Sequence, residues 1–258
     1  EVVSGDGQGS GDIDFDFPVA VALDNQNQAW VVDTNLAAFI KVSLDNGERS
    51  LVSGNERQGG GGIDLSQPAA VALDGDGHAW IAAEGDGGHT LVKVRLSDGQ
   101  RTELPRQDDT VFLGAPSGLA LDTQGQAWVV DQDGRQLVII DLTSGERRQV
   151  LESDEGVSLS VPIDVALDDA GEVWVIDAGL AAFVTVDRNS GKVGTVSDIK
   201  DGTGDIEFET PISLALDNQK QAWVVDEEHL ALIRVDLETG DRKLITGAGK
   251  GSGVDFSF

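Results

Sequence analysis

The chain of 258 residues contains no cysteine, no methionine and no tyrosine. Without cysteine it can form no disulfide, no thiolate nucleophile and no zinc–thiolate site. No apolar run approaches the roughly 18 residues that a membrane-spanning helix or a stop-transfer segment needs. Because an initiator methionine is also missing, we interpret the sequence as a processed mature chain or an excised piece, without a signal peptide and without a membrane span.

Positive charge is also scarce, since 18 Lys and Arg residues face 46 Asp and Glu residues and give a formal net charge of −28. A polyanion of this kind would be repelled by nucleic acid, which binds clustered Lys and Arg. Asp outnumbers Glu by 32 to 14, which disfavours helix. With 40% hydrophobic residues the chain is nevertheless apolar enough to fold around a core.

A repeat of 46 to 50 residues organises the whole chain. Its markers are the five tryptophans, Trp30, Trp80, Trp128, Trp174 and Trp223. A proline lies twelve residues before each of them, at Pro18, Pro68, Pro116, Pro162 and Pro211. Two markers that keep the same spacing five times indicate a repeat architecture. Each Trp alternates with small residues, and we expect it to fill the space between neighbouring repeats.

Each repeat is predicted to contain four short strands. In the first repeat they cover residues 19–23, 29–32, 38–44 and 49–52, which are β-branched or alternating runs separated by turn sequences such as DNQNQ and DNG. Four strands per repeat predict an all-β fold, a five-bladed β-propeller with four antiparallel strands per blade. We expect one domain over 1–258, with units of about 18–67, 68–115, 116–161, 162–210 and 211–258.

The segments PVAVALDNQNQAWVVD (18–33), PSGLALDTQGQAWVVD (116–131) and PISLALDNQKQAWVVD (211–226) resemble NHL-repeat propellers and the related virginiamycin B lyase and regucalcin/gluconolactonase groups. The resemblance covers nearly the whole chain and concerns the scaffold. Only Gly118 keeps the glycine at the third position of the family pattern, and there are five units where the family has six. The resemblance implies a propeller fold. It transfers no catalytic set, because no motif around the three His residues matches those enzymes.

The two ends of the chain carry similar sequences, VSGDGQGSGDIDFDF (3–17) and ITGAGKGSGVDFSF (245–258). One interpretation is that residues 1–17 form an N-terminal closing strand and tail that complete the last blade. The other is that the chain is part of a longer array, or that a redundant strand pairs with a second molecule.

Acidic residues recur at two positions of each repeat. One set ends the first strand, at Asp24, Asp74, Asp122, Asp168 and Asp217; the other ends the second strand, at Asp33, Glu84, Asp131, Asp177 and Asp226. We expect each set to circle one face of the propeller. Asp at the start of a turn commonly accepts backbone N–H bonds, which favours a structural role. The alternative is a cation site at the second set, and oxygen ligands would then select Ca²⁺ or Mg²⁺.

The loops that follow the second strands differ most between repeats, and function is therefore expected there. Their non-repeating polar residues form a candidate binding face: Glu84, Asp86, His89, Asp133, Arg135, Glu227, Glu228 and His229. A His among carboxylates can ligate a metal or act as a general base, although solvated loop charge is the simpler interpretation.

The leading hypothesis is a non-catalytic binding and assembly module. We expect a secreted or cell-surface bacterial protein, extracellular or periplasmic, stabilised by cations, with a protein or glycan ligand, self-association through the duplicated terminal strands, and no nucleic-acid partner. The first alternative is a metal-dependent lyase or lactonase-type enzyme that uses the His229 and Glu84 face. The second is an engineered or consensus-derived scaffold without a natural ligand.

Overall fold

The computed structural model describes residues 3–5, 9–54, 63–85, 88–105, 111–150, 158–198, 202–204 and 206–247. These residues form twenty β-strands in five four-stranded antiparallel sheets, and they contain no helix. The prediction of an all-β five-bladed β-propeller with four strands per blade is confirmed. In the described part of the chain no helix is long and apolar enough to cross a membrane.

The sheets follow the repeats in order, and the first strand of every repeat is an edge strand. The first sheet contains β1 (Pro18–Leu23), β2 (Gln28–Asp33), β3 (Ala38–Ser43) and β4 (Arg49–Gly54). The second contains β5 (Ser66–Leu73), β6 (His78–Gly85), β7 (Gly88–Arg95) and β8 (Arg101–Glu103). The third contains β9 (Pro116–Leu121), β10 (Gln126–Asp131), β11 (Gln136–Asp141) and β12 (Arg147–Gln149).

The fourth sheet contains β13 (Pro162–Leu167), β14 (Val173–Asp177), β15 (Ala182–Val186) and β16 (Val193–Ser197). The fifth contains β17 (Pro211–Leu216), β18 (Gln221–Asp226), β19 (Ala231–Asp236) and β20 (Arg242–Thr246). The four strands predicted for the first repeat agree with β1 to β4 to within two residues at each end. The turn residues that separate the apolar runs in the sequence are the residues that separate the strands.

The chain divides into two compact units. One consists of Glu1–Ala127 and Ile140–Arg147, and the other of Trp128–Ile139 and Arg148–Phe258. In the first unit Trp30 stacks on Phe39 with ring centroids 5.4 Å apart and packs in a core with Leu65 of the connector and Val71 of the second repeat. This Trp therefore fills the space between two repeats, as the sequence predicts.

The second unit repeats this packing. Trp174 stacks on Phe183 with centroids 5.2 Å apart, and both belong to a core that includes Phe208 of the connector and Leu214 of the fifth repeat. Aromatic side chains of this size dominate core energetics. The space between the fourth and fifth repeats is therefore filled in the same way as the space between the first and second.

In the first and fifth repeats, the chain that precedes the repeat packs on its outer hairpin. Gly47 of the first repeat has a φ of +72°, and a Cβ atom there would lie 2.0 Å from the carbonyl oxygen of Val3. Gly240 of the fifth repeat has a φ of +73°, and its Cβ would lie 2.0 Å from the oxygen of Val196. Only glycine allows both the left-handed conformation and this close approach.

An arginine two residues after this glycine fastens the connector. The Arg49 guanidinium donates to the carbonyl oxygen of Ile13 at 2.7 Å, pairs with Asp14 at 2.7 Å and lies over the Phe15 ring. In the fifth repeat Arg242 donates to Ile206 at 2.7 Å in the same manner. The sequence pattern G-x-R showed the repetition of these arginines but not their function.

The described residues of the N-terminal tail thus lie on the first repeat, where Gly11 forms a parallel bridge with Arg49. Residues 248–258, which hold most of the matching C-terminal segment, lie outside the described residues. The closure of the last blade by residues 1–17 and the single-domain boundaries 1–258 remain predictions.

Candidate functional site

The acids that end the second strands are fully buried in four repeats, at Asp33, Asp131, Asp177 and Asp226. Asp33 accepts hydrogen bonds from the backbone N–H groups of Asp16, Phe17 and Leu36 at 2.8 to 3.1 Å. The first two donors belong to the incoming connector and the third to the hairpin after the strand. One carboxylate therefore joins the connector, the second strand and the hairpin.

The same arrangement recurs in the second unit. Asp177 accepts from the N–H groups of Ser160, Val161 and Leu180 at 2.7 to 3.0 Å. Asp226 accepts from the connector N–H groups of Glu209 at 2.9 Å and Thr210 at 3.2 Å. These N–H donors satisfy the buried carboxylates, which would be costly to bury without hydrogen bonds. These contacts favour the structural interpretation of the second-strand acids.

The second repeat departs from this pattern. Glu84 stands at the position of the buried Asp residues but is only half-buried, and it accepts from the Gln67 side chain at 2.6 Å. Across the residues that the structure describes, no group of three or more His, Asp or Glu side chains could hold a metal ion. The cation site predicted at Asp33, Glu84, Asp131, Asp177 and Asp226 remains a prediction.

The residues predicted to form a binding face lie on or beside the turns after β6, β10 and β18, and their common face remains a prediction. Glu84 and His89 are cross-strand partners on β6 and β7. Asp133 and Arg135 are exposed on the turn after β10, and Arg135 has a φ of 50°. The turn after β18 carries the exposed Glu227 and Glu228 and the half-buried His229. Asp86 lies outside the described residues.

His229 lies between two carboxylates. Its Nδ1 atom is 2.9 Å from Oδ1 of the buried Asp226, and its Nε2 atom is 3.5 Å from Oε2 of the exposed Glu209. A buried carboxylate at Nδ1 fixes the orientation of the imidazole ring. Of the candidate residues on this face, His229 therefore has the most defined chemical surroundings.

The acids that end the first strands form turns of one repeated geometry. Oδ1 of Asp24 accepts from the N–H groups of Gln26 at 2.8 Å and Gln28 at 3.0 Å, while Oδ2 accepts from the indole N–H of Trp30 at 2.9 Å. Partial burial acts to raise the pKa of Asp24, but these hydrogen bonds and the charge of Lys41 outweigh it and hold the pKa below its ordinary value. Sequence analysis identified the turn but missed the bond to Trp.

A groove of about 930 Å³ lies between the first-strand turns of the first and second repeats, within the first unit. Asn25, Gln26 and Gln28 line it from the first repeat, and His78 and Arg95 line it from the second. Arg95 is held by Asp98 at 2.8 Å and by Gln100 at 2.9 Å. The wall thus combines side-chain amides, carboxylates and cations, and Trp30 also lines the groove.

This groove was not predictable from the sequence. Its residues lie in turns that look alike in every repeat, and only the packing of two neighbouring repeats brings them together. The composition gave no signal, because residues 18–115 hold 7 of the 18 Lys and Arg residues, about the share expected for two repeats of five.

No family model matches the chain, and no curated protein matches it. Solved structures share its fold. A structural genomics protein of unknown function from Bacteroides thetaiotaomicron has a TM-score of 0.70 and 15% identity, over 95% of this chain; the chain spans 63% of that protein's length. A chain of a nidogen/laminin complex has a TM-score of 0.69 and 16% identity, over 87% of this chain and 78% of its own.

Virginiamycin B lyase from Staphylococcus aureus is also similar, with a TM-score of 0.62 and 14% identity; the match covers 89% of this chain and 69% of the lyase chain. At these identities the likeness establishes the propeller fold alone. It agrees with the resemblance to NHL-like propellers and virginiamycin B lyase that the repeat sequence shows.

Proposed function

We propose that this protein is a non-catalytic binding and assembly module, and that the groove between its first two repeats binds an extended polar ligand, a glycan chain. The observation that carries the proposal is the groove itself, because its wall is made of amide, carboxylate and cationic side chains in fixed turns. Planar polar groups of this kind form hydrogen bonds with sugar hydroxyls, and clefts of this size are the usual place for ligands.

The turns hold the groove rigid without using the side chains that face the ligand. Asn25 and Gln26 belong to the turn that Asp24 closes through backbone N–H groups, so their side-chain amides are exposed at the wall. A turn with a fixed backbone and exposed polar side chains loses less conformational entropy when it binds a ligand. This preorganisation supports a binding role.

The test is glycan binding to the intact chain on a defined oligosaccharide array, followed by calorimetry with the glycan that binds. The N25A/Q26A double variant should weaken binding at least about tenfold without lowering Tm. Gln124→Ala is the matched control, because Gln124 occupies the position of Gln26 in the third repeat. Absence of glycan binding, or equal binding by N25A/Q26A, would sink the proposal.

One observation favours a catalytic alternative, a lyase or lactonase-type activity. The pairing of His229 with the buried Asp226 at 2.9 Å resembles the orientation of a general base. Any activity found on lactone or cyclic depsipeptide probes should fall about 100-fold in His229→Ala and depend on pH. An activity that survives this substitution would exclude His229 as its base.

We propose an extracellular or periplasmic location and stabilisation by cations. The support is the surplus of 28 negative charges, which resembles the surface of proteins from salty or calcium-rich surroundings. A cell fractionation with an antibody against the chain tests the location. Recovery from the cytoplasm would contradict it.

A further inference from the structure

The fourth repeat lacks an arginine that the other four repeats carry on their outer strand. Val193 pairs with Val186 on the neighbouring strand, in the register in which Arg49 pairs with Val42 in the first repeat. The arginines at this position of the other repeats are Arg49, Arg101, Arg147 and Arg242. A long cationic side chain is therefore replaced by a short apolar one, and Val193 is buried.

A second substitution, on the connector, acts in the same direction. In the first repeat the Arg49 guanidinium lies over the ring of Phe15, 5.7 Å from its centre. In the fifth repeat Arg242 lies over Phe208 at 5.6 Å. Both phenylalanines stand three residues before the proline of their repeat, and Leu159 stands at this position in the fourth. Both partners of the stacking contact are thus smaller in the fourth repeat.

A cavity of about 380 Å³ lies beside these two smaller residues, and all its described lining residues belong to the second unit. The buried side chains that line it are apolar: Leu137, Val150, Leu159, Val186 and Val193. The exposed side chains that line it are polar: Arg135, Gln149 and Ser158. A largely apolar lining with a few polar groups is the usual composition of a small-molecule site.

Arg135 is the one charged residue among the described residues that line the cavity. It has a φ of 50° and stands four residues after Asp131, at the turn position that Ala37, Ala181 and Leu230 occupy in the first, fourth and fifth repeats. In the described part of the chain its guanidinium forms no hydrogen bond and no ion pair. A guanidinium without a partner can bind a carboxylate through two parallel hydrogen bonds.

We propose that this cavity binds a small organic acid, with the carboxylate at Arg135 and an apolar body against the buried side chains. Two departures from the repeat meet here, because Val193 and Leu159 leave the space and Arg135 supplies the charge. Burial of the apolar body favours binding, and the guanidinium selects an acid over a neutral molecule. The cavity shares no lining residue with the groove and does not rest on the glycan proposal.

The test compares two probes of the same shape, 3-phenylpropionate and the uncharged 3-phenylpropanamide. Each is titrated into the intact chain at pH 7 and constant ionic strength, and binding is followed by amide NMR shifts. The acid should bind at least about fivefold more tightly than the amide. The largest shifts should fall on Leu137, Val150 and Val193. No binding of the acid, or equal binding of the two probes, would overturn the proposal.

The contribution of the charge is tested at Arg135 itself. Arg135→Ala introduces the residue that the first and fourth repeats have at this turn, and it should weaken binding of the acid at least about fivefold while leaving binding of the amide unchanged. Arg148→Ala is the matched control, because Arg148 is exposed on β12 and does not line the cavity. An equal loss in the two variants would show that net charge, not Arg135, attracts the acid.

The space is tested by filling it. Leu159→Phe restores the ring of the first and fifth repeats, and Val193→Arg restores the missing arginine. Either variant should weaken binding of both probes at least about tenfold. Thermal unfolding confirms that each variant folds, and Leu159→Phe decides the test if Val193→Arg does not fold. Unchanged binding by folded Leu159→Phe would overturn the proposal.

Failure of this cavity can be told apart from failure of the groove. Leu159→Phe should bind glycan as the wild type does, and N25A/Q26A should bind 3-phenylpropionate as the wild type does, because neither variant changes a residue that lines the other site. Glycan binding without binding of the acid would reject the cavity alone. The reverse result would reject the groove alone.

Discussion

The indole N–H of Trp30 donates a hydrogen bond to the carboxylate of Asp24 at 2.9 Å, and Trp223 donates to Asp217 at the same distance. Trp174 and Asp168 form the same pair at 3.4 Å. Each bond ties the turn after the first strand to the aromatic side chain on the second strand. The most conspicuous repeated residue of the sequence therefore has a polar function in addition to its packing.

The bond should be visible in the titration of Asp217. The Trp223 indole N–H holds the pKa of Asp217 below its ordinary value, helped by the backbone N–H groups of Gln219 and Gln221. Trp223→Phe should move that pKa upward, as followed by NMR of the Asp side-chain carbonyl carbons. Trp80→Phe in the second repeat is the control and should leave it unchanged.

The sign of the stability effect follows from linkage. Because the folded pKa of Asp217 is depressed, its contribution is present above the unfolded value near 4 and is lost as pH falls through the folded pKa. Trp223→Phe should therefore flatten the loss of stability below about pH 4. If the wild type and Trp223→Phe lost the same stability below about pH 4, the Trp223 bond would not be what lowers the pKa of Asp217.

Removal of a second-strand carboxylate should be costly. Asp177→Ala would remove the buried acceptor of three partly buried N–H donors, at a cost of about 1–3 kcal/mol in urea unfolding. Asp169→Ala is the control, since Asp169 is exposed and should change stability by less than about 0.5 kcal/mol. An equal loss of unfolding free energy in the two variants would contradict a structural role for Asp177.

Asp164 should give the stability curve a slope between about pH 4 and 6. Burial raises the pKa of this carboxyl to about 6, although the N–H groups of Leu214 and Val165 donate to it. Between its ordinary and raised pKa the folded state binds more protons than the unfolded chain, so stability falls as pH rises through this window.

Asp164→Asn should remove this slope, since the titrating carboxyl is lost. Chemical denaturation at pH 4, 5, 6 and 7 provides the measurement. A wild-type curve that is flat or rising from pH 4 to 6, with the variant parallel to it, would show that Asp164 titrates normally.

Salt should stabilise the whole chain. With 46 acidic and 18 basic residues the folded surface repels itself, and added ions screen this repulsion. We expect Tm to rise steadily from low to molar NaCl. Calcium at matched ionic strength is the comparison: a larger rise with millimolar CaCl₂ would favour the cation site at the second-strand acids, and a flat Tm in both salts would contradict stabilisation by screening.

The fold could be predicted from the sequence because the repeated Pro, Trp and Asp residues mark local strands and turns. The spacing of Pro18 and Trp30, repeated five times, determines the number of blades, and the Asp after each first strand marks a turn. The function of Arg49 was not predictable, because it depends on which connector packs on which repeat. The groove was missed for the same reason: Gln26 and Arg95 meet through packing between repeats and are far apart in sequence.

The connector contacts have a consequence for biosynthesis. The hairpin at Gly47 rests on Val3, and the hairpin at Gly240 rests on Val196, so in each case the supporting residue lies earlier in the chain. As the protein leaves the ribosome, the support for each of these hairpins has already been made when the hairpin itself appears. Such an order lets the propeller consolidate from its N-terminal end one repeat at a time, without waiting for the last residues to be translated.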